Sequence, residues 1–288
     1  MADFPVAVIT DEFSQDFDRV CATAQELGIP ELEIRTAWDK NVLAMTDEEI
    51  RRLKAAADRR GLRFICVASP VYKCVLPEGG DIDPRFHHDA FQASYSFEDQ
   101  PLILARALDI AARLEAPFVR VFSFWRTVDP ERNFERILDI LQQGGETARN
   151  SGILLGIENE HACHFATGAE VGRAAGALDP DAYGVVWDPA NACVAGERAF
   201  PDGFAHIPVE HICHVHAKDC VMDPASNRPE WCDIGAGETG WKGQLARLKT
   251  DGYAGSVSLE THWGGPGGNK YLGSTTCAKS LLRLVSSA

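Results

Sequence analysis

The stretch HICHVHAKD, His211 to Asp219, places three histidines, a lysine and an aspartate among apolar neighbours. Read as a β-strand, it alternates its side chains between two faces. His214, His216 and Lys218 then share one face, and Cys213, Val215, Ala217 and Asp219 take the other. One face is apolar until its last residue. The opposite face needs a polar interior to look into, and the rest of the chain must supply it.

Working outward, seven further short apolar runs alternate with amphipathic ones. Val6–Thr10 precedes a helix that Ser14 can cap and Gly28 can stop. Leu32–Ala37 precedes a helix with Thr46 as cap, Glu49 three residues on as its capping-box partner, and Gly61 as stop. Arg63–Ser69 precedes a helix near Phe97–Leu114. Phe118–Phe124 precedes one that Asp129 caps, with Pro130 at the first helical position. Ile153–Asn159 leads to Thr167–Leu178, and Tyr183–Pro189 to a helix near Ala190–Ala205. The opening stretch is followed by GWKGQLARLKTDG. Gly255–Thr261 comes before a last helix from about Asn269 to Ser286. Eight strand–helix units imply right-handed crossovers and a parallel sheet. Over 288 residues they suit one closed (β/α)₈ barrel spanning the chain. An open doubly wound sheet is the alternative, and no G-x-G-x-x-G follows the first strand to favour it. Two connections, 70–99 and 220–239, are long enough for lids or binding loops over the C-terminal face.

The net charge of −14 argues against a nucleic-acid partner, because phosphate binding needs a basic footprint. No apolar run reaches the roughly 18 residues of a membrane helix. The first residues lack the basic and apolar regions of a signal peptide. Nine cysteines without a C-x-x-C pair read as free thiols in a reducing cytoplasm. The expectation is a cytoplasmic enzyme with a small-molecule partner, neither nucleic acid nor membrane, with a homo-oligomer left open.

Strand parity answers the opening question. In the last four strands the inward sets are Leu154, Gly156 and Glu158; Gly184, Val186 and Asp188; His214, His216 and Lys218; and Ser256, Ser258 and Glu260. Toward the strand ends they carry Glu158, Asp188, His216 and Glu260, at the barrel mouth where active sites sit. Three crowded carboxylates repel one another unless a cation joins them. Three oxygen ligands and one imidazole suit one divalent ion, Mn²⁺ or Mg²⁺ first, with Co²⁺ or Zn²⁺ also compatible. Around these, Arg35 and Glu33 share the inward face of strand 2, and Arg120 can join from strand 4. Arg35 could bind substrate or fill the barrel as an ion pair. Lys218 could reach substrate or lie in solvent at the rim. His161 could bind a sugar hydroxyl or be a surface histidine. Trp263 could wall a sugar ring or pack a loop. His214, one layer deeper, reads as a hydrogen-bonded core residue, and His87 and His88 as loop histidines that could belong to a lid.

The motifs GIENE, VVWDPANA, HVHAKD and VSLETHW, in this order, with ITDEFSQD near the start, resemble the xylose isomerase-like TIM-barrel superfamily of sugar phosphate isomerases and epimerases. The resemblance covers nearly the whole chain. It implies a metal held by Glu158, Asp188, His216 and Glu260, with Glu158 and Glu260 as acid and base on opposite faces of a carbohydrate or polyol substrate. The reaction implied is proton abstraction beside a metal-bound carbonyl, through an enediolate, giving an isomerase or epimerase. A dehydratase of the inosose or dehydroshikimate type is the alternative on the same site. A metal-dependent endonuclease and a non-catalytic sugar-binding barrel rank lower; where the endonuclease branch has a histidine ligand, this chain has Asn191. Whether the substrate is phosphorylated stays open, since the loop WGGPGGNK, Trp263–Lys270, could cradle a phosphate or simply turn the chain.

Overall fold

A computed structural model describes residues 4–86 and 94–288. His87 and His88 lie outside the described residues. The eight barrel strands are β1 (Val6–Ile9), β2 (Glu31–Ile34), β3 (Arg63–Ala68), β4 (Phe118–Val121), β5 (Leu154–Glu158), β6 (Tyr183–Trp187), β7 (Ile212–Ala217) and β8 (Val257–Leu259). Each pairs in parallel with its sequence neighbours, and β1 pairs with β8 to close the ring. The chain is a single (β/α)₈ barrel.

The helices that follow the strands are α1 (Phe17–Leu27), α2 (Asp47–Asp58), α3 (Gln100–Leu114), α4 (Phe134–Ser151), α5 (Gly168–Ala175), α6 (Pro189–Val194), α7 (Trp241–Thr250) and α8 (Lys270–Ser287). Thr46 and Glu49 close the capping box of α2, and Thr167 and Glu170 build a second one on α5. Gly28 ends α1 in the left-handed conformation, at φ 73°. Outward strand residues such as Val8, Leu32, Val67, Val185 and Val215 are fully buried against the helices. Each such burial contributes about 1.5–3 kcal/mol. Inside the ring, a separate apolar cluster of Ala7, Ile65, Cys66, Ala68, Phe118 and Val186 fills the N-terminal half. The polar groups stand above it.

Several local expectations are corrected. Asp16, not Ser14, caps α1; the Ser14 hydroxyl accepts from the Asp16 amide, which frees Asp16 to accept from Asp18 and Arg19. Asp129 and Pro130 precede a 3₁₀ turn, Glu131–Asn133, and α4 begins only at Phe134. The helix expected near Ala190–Ala205 stops at Val194. Thr36–Ala37, expected at the end of the second strand, instead pairs antiparallel with Lys40–Asn41. The connection 220–239 holds a hairpin, Asp219–Asp223 against Arg228–Cys232.

Cys213 departs from parity for a specific reason. The β6–β7 register slips between Val185 and Val186, so Val185 pairs with Ile212 and Val186 with His214. This bulge turns Cys213 into the barrel, where it packs with the inner cluster. Glycine makes the room: a Cβ on Gly184 would come within 2.7 Å of the Cys213 Cβ.

Candidate metal centre

Glu158 is the last residue of β5, and Asp188 follows β6 as the N-cap of α6. His216 lies on β7, and Glu260 directly follows β8. Each offers one ligand atom, and these atoms all lie within 4.8 Å of one another, every residue buried. His216 Nδ1 is the hub, 3.4 Å from Glu158 Oε1 and 3.3 Å from Glu260 Oε2.

The donor chemistry fits a divalent cation. Glu158 Oε2, Asp188 Oδ2 and His216 Nδ1 are buried without a hydrogen-bond partner. Arg120 Nη1 and Lys218 Nζ stand 3.2 and 2.8 Å from the two oxygens, as charge contacts rather than hydrogen bonds. Buried polar atoms are seldom left this way unless a ligand or ion is to meet them. The other edge of the His216 ring is committed: Nε2 lies 3.2 Å from Glu33 Oε2. A carboxylate behind a histidine fixes the tautomer and aims the free nitrogen. Glu33 Oε1 bonds His214 Nε2 at the same time.

Electrostatics sort the carboxyl groups. Burial, reinforced by Glu158 and Glu260 and only partly offset by Lys218, pushes Asp188 up to about 7. Burial would also raise Glu260, but Lys218, His216 and Arg35 hold it well below the usual carboxylate range. Burial disfavours charge on His216, yet Glu33 and Glu158 hold its imidazole well above the ordinary value. The carboxylates around His216 thus favour positive charge on its ring, while Glu260 stays ionised through its own cationic partners.

Arg35 is a buried clamp: Nη1 donates to Glu260 Oε1 at 2.8 Å, Nη2 to Glu12 Oε1 at 3.0 Å, and the guanidinium also grips Asp11. Lys218 is not a rim lysine in solvent, because it is only 2% exposed and donates to Glu260 Oε2 at 3.1 Å. His161 is half-buried, with Nδ1 2.9 Å from Asn191 Oδ1 and 3.0 Å from Glu160 Oε1. Asn191 in turn donates from Nδ2 to Glu158 Oε1 at 3.1 Å. Trp263 packs half-buried against the outer core, its amide donating to Thr261 Oγ1 at 3.1 Å.

Two features were missed in the sequence. Trp231, on the hairpin, stacks on His262 at 4.7 Å between ring centres, and Lys218 Nζ lies 6.0 Å from its ring. The turn-forming DPASN at 223–227 was the available signal for the hairpin that carries it. Asp11 and Glu12 form a 3₁₀ turn after β1 and supply the outer carboxylates for Arg35.

The model of the xylose isomerase-like TIM barrel family matches residues 21–280, and the chain belongs to that family. Comparison with curated proteins by sequence gives no significant match. Among solved structures, IOLI protein with a bound zinc atom superposes at TM-score 0.78 with 16% identity, over 98% of each chain. D-Psicose 3-epimerase from Clostridium cellulolyticum H10 gives 0.68 with 16% identity, also over 98% of each. The probable 3-DHS dehydratase AsbF from Bacillus anthracis gives 0.71 with 15% identity, over 96% of this chain and 98% of that one. At such identities the likeness concerns the fold.

Proposed function

We propose that the protein is a divalent-metal-dependent isomerase or epimerase of a carbohydrate or polyol, acting by proton abstraction beside a carbonyl. The observation that carries this reading is the pair Glu158 and Glu260, standing 3.4 and 3.3 Å from one buried imidazole nitrogen, with Asp188 in the same cluster. Glu158, Asp188, His216 and Glu260 would hold the ion, Mn²⁺ or Mg²⁺ by their oxygen-rich donor set. An ion held by these residues would supply Lewis-acid stabilisation of negative charge on a substrate oxygen. One glutamate then takes the carbon-bound proton. The other returns a proton to the opposite face for epimerisation, or to the neighbouring carbon for isomerisation. Arg35 and Lys218 keep Glu260 in place, and Asn191 does so for Glu158. The neighbouring D-psicose 3-epimerase supports the reading at the level of fold.

A dehydratase is the second reading, favoured by one observation. Lys218 sets a buried ammonium 3.1 Å from Glu260 Oε2, so a proton donor for a departing hydroxyl stands beside a base.

The test is a screen of ketoses, keto-inositols and small hydroxycarbonyls in D₂O with Mn²⁺, Mg²⁺, Co²⁺ or Zn²⁺ added. Deuterium should enter a substrate C–H position, read by mass spectrometry. Glu158→Gln and Glu260→Gln should each lower the exchange by about 10²–10⁴-fold. Full exchange in both variants sinks the mechanism.

A further inference from the structure

We infer that the end of the barrel opposite the metal centre carries a second ligand site, a cavity suited to a compact uncharged alcohol or phenol, which acts on the centre through His214, Glu33 and His216. The site stands on its own geometry. Its action on the centre rests on the reading just given.

The site lies where the strands begin. Phe118 and Leu154 are the first residues of β4 and β5, and Ser256 comes just before β8. With Ile65 of β3 and Cys213 of β7 they border a cavity of about 630 Å³. That volume falls in the range of small-molecule sites, which are mainly apolar with a few placed polar groups. Cys213 reaches it through the β6–β7 bulge, and its thiol donates to the Val185 carbonyl at 3.4 Å. Chemistry in this fold belongs to the other end of the barrel. A ligand at the strand starts therefore acts on the centre from a distance.

The cavity walls are apolar, and the charges at its rim are paired. Arg63 donates from Nε to Glu31 Oε1 at 3.0 Å, and Lys54 Nζ stands 3.0 Å from Glu115 Oε2. Glu31 Oε2 also accepts from the Ser256 hydroxyl. A charged ligand would have to break such a pair or bury its charge against hydrocarbon. One polar group is left open. His214, 1% exposed, contributes its ring to the cavity lining. Its Nε2 is bonded to Glu33 Oε1, and its Nδ1 meets no hydrogen-bond partner among the described residues. A hydroxyl both donates and accepts, so it satisfies Nδ1 whether or not that nitrogen carries a proton. The Phe118 ring lies beside the imidazole, 5.1 Å between centres, and offers an aromatic surface to the rest of the ligand. From His214 the path to the centre is short. Glu33 holds His214 by one oxygen and His216 Nε2 by the other, at 3.2 Å, and His216 Nδ1 faces Glu158 and Glu260. A hydroxyl that fixes the His214 ring restrains the carboxylate behind His216, and ion capture tightens.

Titration calorimetry on the metal-free protein tests the site. Both 4-ethylphenol and cyclohexanol should bind saturably, and binding of neither overturns it. The charged counterparts 4-hydroxybenzoate and cyclohexylamine should bind about tenfold more weakly or worse, and equal affinity for either overturns the ligand class. Leu154→Trp narrows the cavity, and His214→Phe keeps a ring without Nδ1. Each, checked for folding by circular dichroism, should weaken 4-ethylphenol by about tenfold. Undiminished binding in a folded variant places the compound elsewhere and overturns the site. A diazirine-bearing phenol gives a reading on the parent protein alone: photolabel should map to the starts of β3, β4 and β5, and insertion only at other segments overturns the site. Saturating 4-ethylphenol should tighten Mn²⁺ binding by about fivefold or more, and Mn²⁺ should tighten 4-ethylphenol by the same factor. Unchanged Mn²⁺ affinity overturns the coupling and leaves the site. Failure to bind Mn²⁺ at all overturns the reading of the centre and the coupling with it, while the alcohol titrations still decide the site.

Discussion

His216 turns its two ring nitrogens to different tasks. Nε2 is spent on Glu33, and Nδ1 stays open toward Glu158 and Glu260. Glu33 is not one of the four residues of the centre and meets it at the far side of the His216 ring, so its effect passes through the imidazole. Glu33→Gln should therefore weaken metal uptake by about 10–100-fold, the cost seen when a partner behind a metal-binding histidine is altered. Titration calorimetry with Mn²⁺ reads it, and unchanged affinity would remove Glu33 from this role. The four central residues were legible in the sequence because each lies at or next to the end of an alternating strand, where period two limits the choice of face. The clamps were not. Arg35 and Glu260 are 225 positions apart, and nothing local to either says that β2 reaches past β1 to β8.

Among elements, all eight strands were legible from their apolar runs, but their ends and β7's inner detail were not. Parity holds only while a strand stays in register, and the slip opposite Val185 and Val186 brings Cys213 inward with His214. Helix starts shifted where two capping residues competed, as at Ser14 and Asp16. The hairpin after β7 was hidden because its strands are short and mostly polar. Its anchor is Asp219, whose carboxylate accepts the amides of Gly235, Gly237 and Thr239 and the Thr239 hydroxyl. Asp219→Ala leaves these donors without partner, at a cost of about 1–3 kcal/mol. It should lower Tm by about 2–4 °C per kcal/mol for a chain of this size. Limited proteolysis should show new cleavage within 233–239, and a digest like that of the parent protein would count against the anchor.

For the whole molecule, the acidic balance is concentrated at the barrel mouth as well as spread over the surface. The raised Asp188 sets a pH dependence. A carboxyl held at about 7 contributes stability below its ordinary range and loses it as pH rises through 7. The metal-free protein thus carries its heaviest unbalanced charge above neutrality, where a cation has no proton to displace. Mn²⁺ should raise Tm more at pH 8 than at pH 6; an equal gain at both would contradict this. Among the described residues, no helix is long and apolar enough to cross a membrane.

The four central groups come from β5 to β8, and Arg35, Glu33 and Arg120, which meet Glu260, His216 and Glu158, come from β1 to β4. Severing the chain between β4 and β5 would give one fragment with every chelating side chain but only Lys218 and Asn191 to steady them, and another with the three front braces. Ion capture would then report reassembly: weak in the rear fragment by itself, restored when the front fragment docks and the ring is whole.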